Sequence, residues 1–506
     1  MNNDAINKRM TNFRWIICGM LFLATTVNYM DRQLLALTWK DFISPEFHWS
    51  NSDYGLISAT FGIVYAIANL FSGRIVDWLG TKRGYLWAIG IWSVGAMMHA
   101  GCGWATEHVV GLHDTAELVA ATGDLAATIS MVSVYFFLSA RVVLAVGESG
   151  NFPSAIKVTA EYFPKRDRAF ATSIFNAGST VGALIAPLTI PTLASWFKNH
   201  GVGNGWEMAF VIISLLGFIW MGVWMFLYKD VDHNPHVNDA ERAYIRQSDA
   251  EETSEASDAR KLSWGECIRL KQTWAILLGK FLTDGVWWFL LFWTPAFISD
   301  VYGYTSDTFT AQMLMFTLYA ISMLSIYGGK LPTIFINRRG GTAYDNRMRA
   351  MFIFALFPLF GLLAQPLGRT SVWLAIILIG IMAAAHQSWS ANLFSVGSDL
   401  FPKGAVGTIT GMNGMAGGLA SFLINIGAGY LFDYADKTQM AFMGFQGKEA
   451  GYFIIFCYCA VAYLLGWICM KSLVPTYKPV KSTINYTITL SGLPFLSRTD
   501  PFFVAT

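Results

Sequence analysis

Charge is what this sequence has least of. Asp, Glu, Lys and Arg make up 13% of its 506 residues, about half the share usual in a soluble globular chain. The formal net charge is only +2. That total says little about nucleic acid, which is not an expected partner; where the charge lies says more. Cysteine is sparse too. Cys18, Cys102, Cys267, Cys457, Cys459 and Cys469 mostly sit in apolar runs and read as small packing residues rather than a disulfide framework. Cys457 and Cys459 form a C-x-C with no His nearby, poor material for a metal site, and no metal or cofactor is expected. The chain also lacks the G-x-x-x-x-G-K-S/T cradle of an ATP-driven pump and the H-E-x-x-H of a metalloprotease. GESGN at 147–151 misses the G-x-S-x-G pattern, so an intramembrane hydrolase is disfavoured and no enzymatic activity is expected.

What fills the chain instead is oil: 54% of residues are apolar and the mean hydropathy is +0.43. A helix needs about 20 apolar residues to cross a bilayer, and about twelve such stretches can be marked. They begin near Arg14, Tyr54, Tyr85, Ala126, Ala169, Trp206, Thr273, Phe309, Met348, Ser371, Val406 and Ala450. The predicted fold class is an all-α integral membrane protein, twelve transmembrane helices in two pseudo-symmetric six-helix halves. The halves span 1–228 and 272–475, around a cytosolic linker at 229–271, with a cytosolic tail at 476–506. The first run is too long for a signal-peptide core and is read as retained. With both termini and the linker inside, 27 of the 35 Lys and Arg fall on the cytosolic side, 5 outside and 3 within spans. That bias follows the positive-inside rule. It predicts a multi-pass protein in the lipid bilayer of the cell (inner) membrane, both termini cytoplasmic.

An internal repeat supports the two halves. EYFPK at 161–165 returns as DLFPK at 399–403, an offset of 238 residues. Each copy precedes a span rich in small residues, FNAGSTVGALIAP and MNGMAGGLASFLINIGAG, of the kind that lets membrane helices pack closely. The same offset brings Asn176 near Asn413 and Glu148 onto His386. Duplicated halves with a site between them are the usual plan of a secondary transporter.

The few charges inside the spans are the candidate site. Asp31 and Arg32 stand side by side in NYMDRQLLA, and Arg141 and Glu148 share the fourth span. Ionisable residues there are costly and usually kept for use. Arg141 and Glu148 are seven apart, about 10.5 Å of rise along one face, so each needs a partner elsewhere. Arg32 can face Glu148, and Asp31 can face Arg141. Arginine stays charged and grips carboxylates through two donors, which suits an anionic substrate. Asp31 and Glu148 can take up protons, which suits coupling. The plain alternative is a set of structural ion pairs. Lys280 and Asp284, four apart at the start of the seventh span, read as a solvated or snorkelling pair.

HQSWSANLF at 386–394 is a polar string in the tenth span. His386, Gln387, Trp389, Ser390 and Asn392 offer donors, acceptors and an aromatic plate for a polyhydroxylated ligand. Tyr29, Tyr65, Trp287 and Trp288 can stack on a sugar-like ring, or belong to interfacial belts. GRIVDWLGTKR at 73–83 reads as a tight cytosolic turn and gate, with Asp77 pairing against a neighbouring helix end.

Together these motifs resemble the major facilitator superfamily. Gly73, Asp77, Gly80, Lys82 and Arg83 resemble its signature loop. NYMDR and the Arg141–Glu148 pattern resemble its anion:cation symporter family, and HQSWSANLF and DLFPKGAVGTITGMNGMAG resemble that family's hexuronate branch. The resemblance covers about residues 11 to 475. It implies a substrate-carboxylate arginine at Arg32, proton-carrying acids at Asp31 and Glu148, and a coupled arginine at Arg141. It places substrate contacts at Tyr29, Tyr65, Trp389 and Asn413, and the gate at Gly73, Asp77, Gly80 and Arg83. Trp78 and Ser179 depart from the pattern, where relatives favour arginine and glutamine respectively. The external segment 104–124 is also longer than in relatives. The expected function is a monomeric, proton-coupled symporter that imports a hexuronate or similar small organic anion by alternating access. Transport of another organic anion such as an aldonate, an uncoupled uniporter, a channel and a non-transporting receptor stay open.

Overall fold

The computed structural model describes residues 10–248 and 262–480. The rest of the expected tail, from residue 481, and the middle of the expected linker lie outside these residues. Long helices dominate, since helices satisfy every backbone donor and acceptor inside one segment, as a bilayer requires. In chain order they are α1 (Phe13–Thr38), α2 (Asn51–Leu79), α3 (Thr81–Ala100), α4 (Gly123–Glu148), α5 (Lys165–Asn199), α6 (Trp206–Leu227), α7 (Lys271–Tyr302), α8 (Phe309–Ser322), α9 (Ala343–Leu356), α10 (Val372–Leu400), α11 (Lys403–Thr438) and α12 (Lys448–Leu473). Among the described residues, eleven helices are long and apolar enough to cross a membrane. The expected third span, α3, forms a continuous 20-residue helix but falls short on composition. Its first turn carries Lys82 and Arg83, and Gly90, Gly95 and His99 dilute its apolar content.

The repeat seen in sequence is a repeat in geometry. Before α5, Phe163 is extended and Pro164 caps the helix at φ −65°, ψ 155°. Before α11, Phe401 is extended and Pro402 does the same at φ −64°, ψ 151°. Proline forces the preceding residue out of the helical region, so both copies stop one helix and start the next.

Small residues set the closest helix contacts. A Cβ at Gly182 of α5 would lie 2.4 Å from the Thr26 carbonyl oxygen of α1, and one at Gly55 of α2 would lie 2.6 Å from the Asn425 carbonyl oxygen of α11. Only glycine permits either approach. Helices of the first half thus meet helices of the second across the α2–α11 seam.

Polar contacts between the halves gather at the end away from the chain termini. Asp433 of α11 accepts from Asn51 N at 3.0 Å, Asn51 Nδ2 at 2.8 Å, Ser52 N at 2.7 Å and the Ser52 hydroxyl, which closes a carboxylate over the start of α2. Lys40 pairs with Asp300 at 2.7 Å, and Asp41 accepts from Ser299 Oγ and Ser306 N, each at 2.7 Å. At the terminal end, Cβ atoms added to Gly73 of α2 or to Gly407, Gly411 and Gly414 of α11 would meet nothing within 4 Å.

The start of the expected linker belongs structurally to the first half. In the short helix Asp239–Ile245, the fully buried Glu241 accepts from Phe13 N at 3.0 Å, Arg14 N at 3.1 Å, Arg14 Nη1 at 2.9 Å and Thr11 Oγ1 at 2.5 Å. It caps α1, whose own N-cap Asn12 makes no side-chain cap. Beyond α12, Val480 N donates to Leu400 O at 2.7 Å and Gln272 Nε2 donates to Lys478 O at 2.9 Å, which ties residues 478–480 across α10 and α7. Replacing Glu241 leaves Arg14 buried without its counter-ion, which costs about 3–5 kcal/mol. Glu241→Ala should lower the thermal unfolding midpoint of the purified protein, and an unchanged midpoint would show that this cap contributes no stability.

Candidate functional site

The site is built from the middle of α1. Asp31 and Arg32 are successive residues, so they leave the helix about 100° apart and reach different partners. Arg32 turns to α4. Its Nε and Nη2 both donate to Glu148 Oε2, at 2.9 and 2.6 Å. Arg32 is 4% exposed and Glu148 fully buried. The pair expected from sequence is therefore in place, on one carboxylate oxygen. Glu148 Oε1 has no hydrogen-bond partner.

Aromatic rings enclose the guanidinium. Its carbon lies 4.9 Å from the Tyr29 ring centroid, 5.0 Å from Tyr65, 5.5 Å from Phe61 and 5.6 Å from Trp288. Faces of this kind attract a cation and keep water off it. Trp288 comes from α7, so both halves close on Arg32. Tyr29 and Tyr65 were expected here. Phe61 was not, although it precedes Tyr65 by one helical turn and so shares its face.

Asp31 and Arg141 form the second part. Both carboxylate oxygens of Asp31, and Nε and Nη1 of Arg141, are buried without hydrogen-bond partners. The two side chains interact electrostatically without closing a bond, and Phe61 lies 5.5 Å from the Arg141 guanidinium as well. Four ionisable groups thus share one buried compartment with only one hydrogen-bonded pair among them. Gly147 makes this possible: a Cβ there would sit 2.2 Å from Trp92 N, so glycine lets α4 press onto α3 next to Glu148.

The structure does not bring most of the α10 string to Arg32. His386 stacks on Trp287 at 5.3 Å and shares a 2.8 Å hydrogen bond with the Tyr463 hydroxyl. Trp389 is fully buried against Tyr463. Asn392 donates to Ser388 O of its own helix at 2.8 Å. Gln387 is half-buried. On α11, Asn413 is buried with Oδ1 unpartnered.

In the loop after α2, Gly80 adopts φ +79°, a conformation that favours glycine, and turns the chain into α3. Asp77 accepts from Lys157 Nζ at 2.8 Å, in the middle of the helix Asn151–Tyr162 rather than at a helix end. Arg83 is exposed on α3, and Gly73 faces open space. Lys280 and Asp284 correct the solvated reading: they are 8% and 7% exposed and pair at 2.9 Å. The cause is tertiary, since α10 and α11 cover that face of α7. No group of His, Cys, Asp or Glu among the described residues could hold a metal.

Removing Glu148 alone leaves a buried guanidinium unpaired, whereas removing both partners leaves no charge to satisfy. Glu148→Ala should therefore lower the unfolding midpoint, and Arg32→Met with Glu148→Met should recover most of the loss. A double variant as unstable as the single one would show that the ion pair is not what Glu148 contributes.

Comparison with known proteins is consistent over nearly the whole chain. The family profile described as Major Facilitator Superfamily matches residues 21–425. The hexuronate transporter of Escherichia coli (strain K12) is 30% identical over 430 residues, covering 84% of this chain and 89% of that one. A galacturonate transporter of Dickeya chrysanthemi is 27% identical over 327 residues, 65% of this chain and 84% of that one. Among solved structures, a bacterial homolog of the human lysosomal transporter Spinster superposes with TM-score 0.64 at 18% identity, covering 91% of this chain and 97% of that one. A D-xylose-proton symporter superposes with TM-score 0.62 at 16% identity, covering 92% and 99%. The chain belongs to the major facilitator superfamily, and is a multi-pass membrane transporter rather than an enzyme.

Proposed function

We propose that the protein is a proton-coupled importer of a sugar-acid anion of the hexuronate class, such as glucuronate or galacturonate. One observation carries the reading: a buried guanidinium whose bonded anion is an internal, protonatable carboxylate, the Arg32–Glu148 pair. When Glu148 takes a proton it stops neutralising Arg32. A substrate carboxylate then replaces it on the same two donors, and Arg32 stays charged throughout. Asp31 serves as a second proton site and is set against Arg141. Tyr29 and Tyr65 offer faces and hydroxyls to a sugar ring. The relatives named for hexuronate and galacturonate transport support the substrate class.

The halves at 1–228 and 272–475 rock about this site. The far-end contacts of Lys40, Asp41 and Asp433 fit a state closed at that end. We read the terminal end as cytoplasmic and the membrane as the cell inner membrane, a reading the basic bias supports. A monomer is part of the proposal, and a cage built from both halves of one chain supports it.

The test is reconstitution in liposomes with galacturonate or glucuronate added outside and no imposed gradient. The external medium should turn alkaline on addition, and Glu148→Gln should abolish the change. Entry of labelled substrate without a pH change would replace coupling by uniport, and absence of entry would overturn the substrate class. Arg32→Lys keeps the charge but loses the fork, and should reduce uptake at low substrate by about tenfold or more. Uptake equal to wild type would remove Arg32 from the carboxylate role.

A further inference from the structure

We infer that Lys280 is a second anion-docking point, on the α7–α10–α11 side of the transport path, held ready by Asp284. The inference rests on the sugar-acid reading for its ligand class. The transport mechanism above leaves this ion pair unused, although it is buried well inside a membrane-spanning helix, where charge is costly and seldom idle.

The surroundings of the pair point to exchange rather than a lock. Lys280 Nζ lies 2.9 Å from Asp284 Oδ1 and 3.3 Å from Ser390 Oγ, and 4.9 Å from the Phe394 ring centroid. Both partners of the ion pair sit on one helix, so it ties no two helices together. Asp284 Oδ2 occupies the place a side chain at Gly417 would take, since a Cβ there would be 2.3 Å away. The carboxylate therefore rests on bare α11 backbone. One turn along α11, Gly414 borders open space, and the adjacent Asn413 is buried with Oδ1 unpartnered. On α10, Gln387 precedes Ser390 by three residues and shares its face, half-buried.

Depth fixes the order of contact. Lys280 lies eight residues from Trp288, which touches Arg32, so it stands about 12 Å nearer the terminal end along α7. A carboxylate leaving Arg32 towards that end passes Lys280 next. It docks there as Asp284 gives way, and Asp284 returns to Lys280 as the anion departs. Each half thus presents one cation with an internal carboxylate as its resting partner.

The test is uptake and thermal stability of Lys280→Met, Lys280→Met with Asp284→Leu, and wild type, in the same liposomes. Wild-type uptake is first scored across sugar acids and other organic anions, which judges the substrate class separately. The variants are then compared on whichever anion the wild type carries. Removing both charges leaves no unpaired buried ion, so the double variant folds with a midpoint near wild type. We expect it nonetheless to raise KM, with uptake at low substrate down about tenfold or more. Wild-type KM and uptake in the folded double variant would overturn the inference and leave the pair a structural one.

Discussion

A charge buried in a membrane protein must be answered by another charge, and most of this molecule's arrangement follows from that requirement around Arg32. The guanidinium cannot lose its proton, and it sits 4% exposed in the centre of the bundle. Something anionic must therefore always be on it. In the described state Glu148 fills that role. On the proposed reading, a proton on Glu148 frees that position for a substrate carboxylate, and coupling needs no long-range signal: it is the competition of two carboxylates for one cation.

That competition works only if the surroundings stay dry and closely packed. Four aromatic rings from α1, α2 and α7 shield the guanidinium. Gly147 lets α4 approach α3 closely enough to hold Glu148 at depth. The same logic extends to the ends of the path. At the far end, Asp300 is shared: Lys40 holds it from one half at 2.7 Å, while Tyr452 and Lys448 hold it from its own half at 3.0 and 3.6 Å. When the halves part there, Asp300 keeps partners within its own half. On the proposed rocking mechanism, opening would therefore exchange contacts rather than strand a charge.

Much of the fold was legible in the residues because bilayer length and small-residue patterns act locally along the chain. Apolar runs marked the spans, and α3 fell short on composition because its glycines and basic start dilute the apolar count. The F-P pair in each repeat specified the turns that open α5 and α11 through proline's local sterics. The Arg32–Glu148 pair was legible because charges in the oil are few. The α10 string was less so. Its polarity signalled a cavity, yet His386, Trp389 and Asn392 find their partners in Trp287, Tyr463 and Ser388. A one-dimensional pattern cannot say which face of a helix a neighbour covers.

The sequence by itself determined that the chain spans a membrane, that its two parts repeat, and which side chains could serve as buried ions, because each depends on residue type and spacing alone. The tertiary structure decided which ions meet, which rings enclose them and which end is closed. It also turned Lys280 and Asp284 from an expected surface pair into a buried one, through the packing of α10 and α11 over α7. Those outcomes depend on contacts between segments far apart in the chain, where glycines set the distance between helices and a displacement of an ångström or two makes or breaks an ion pair.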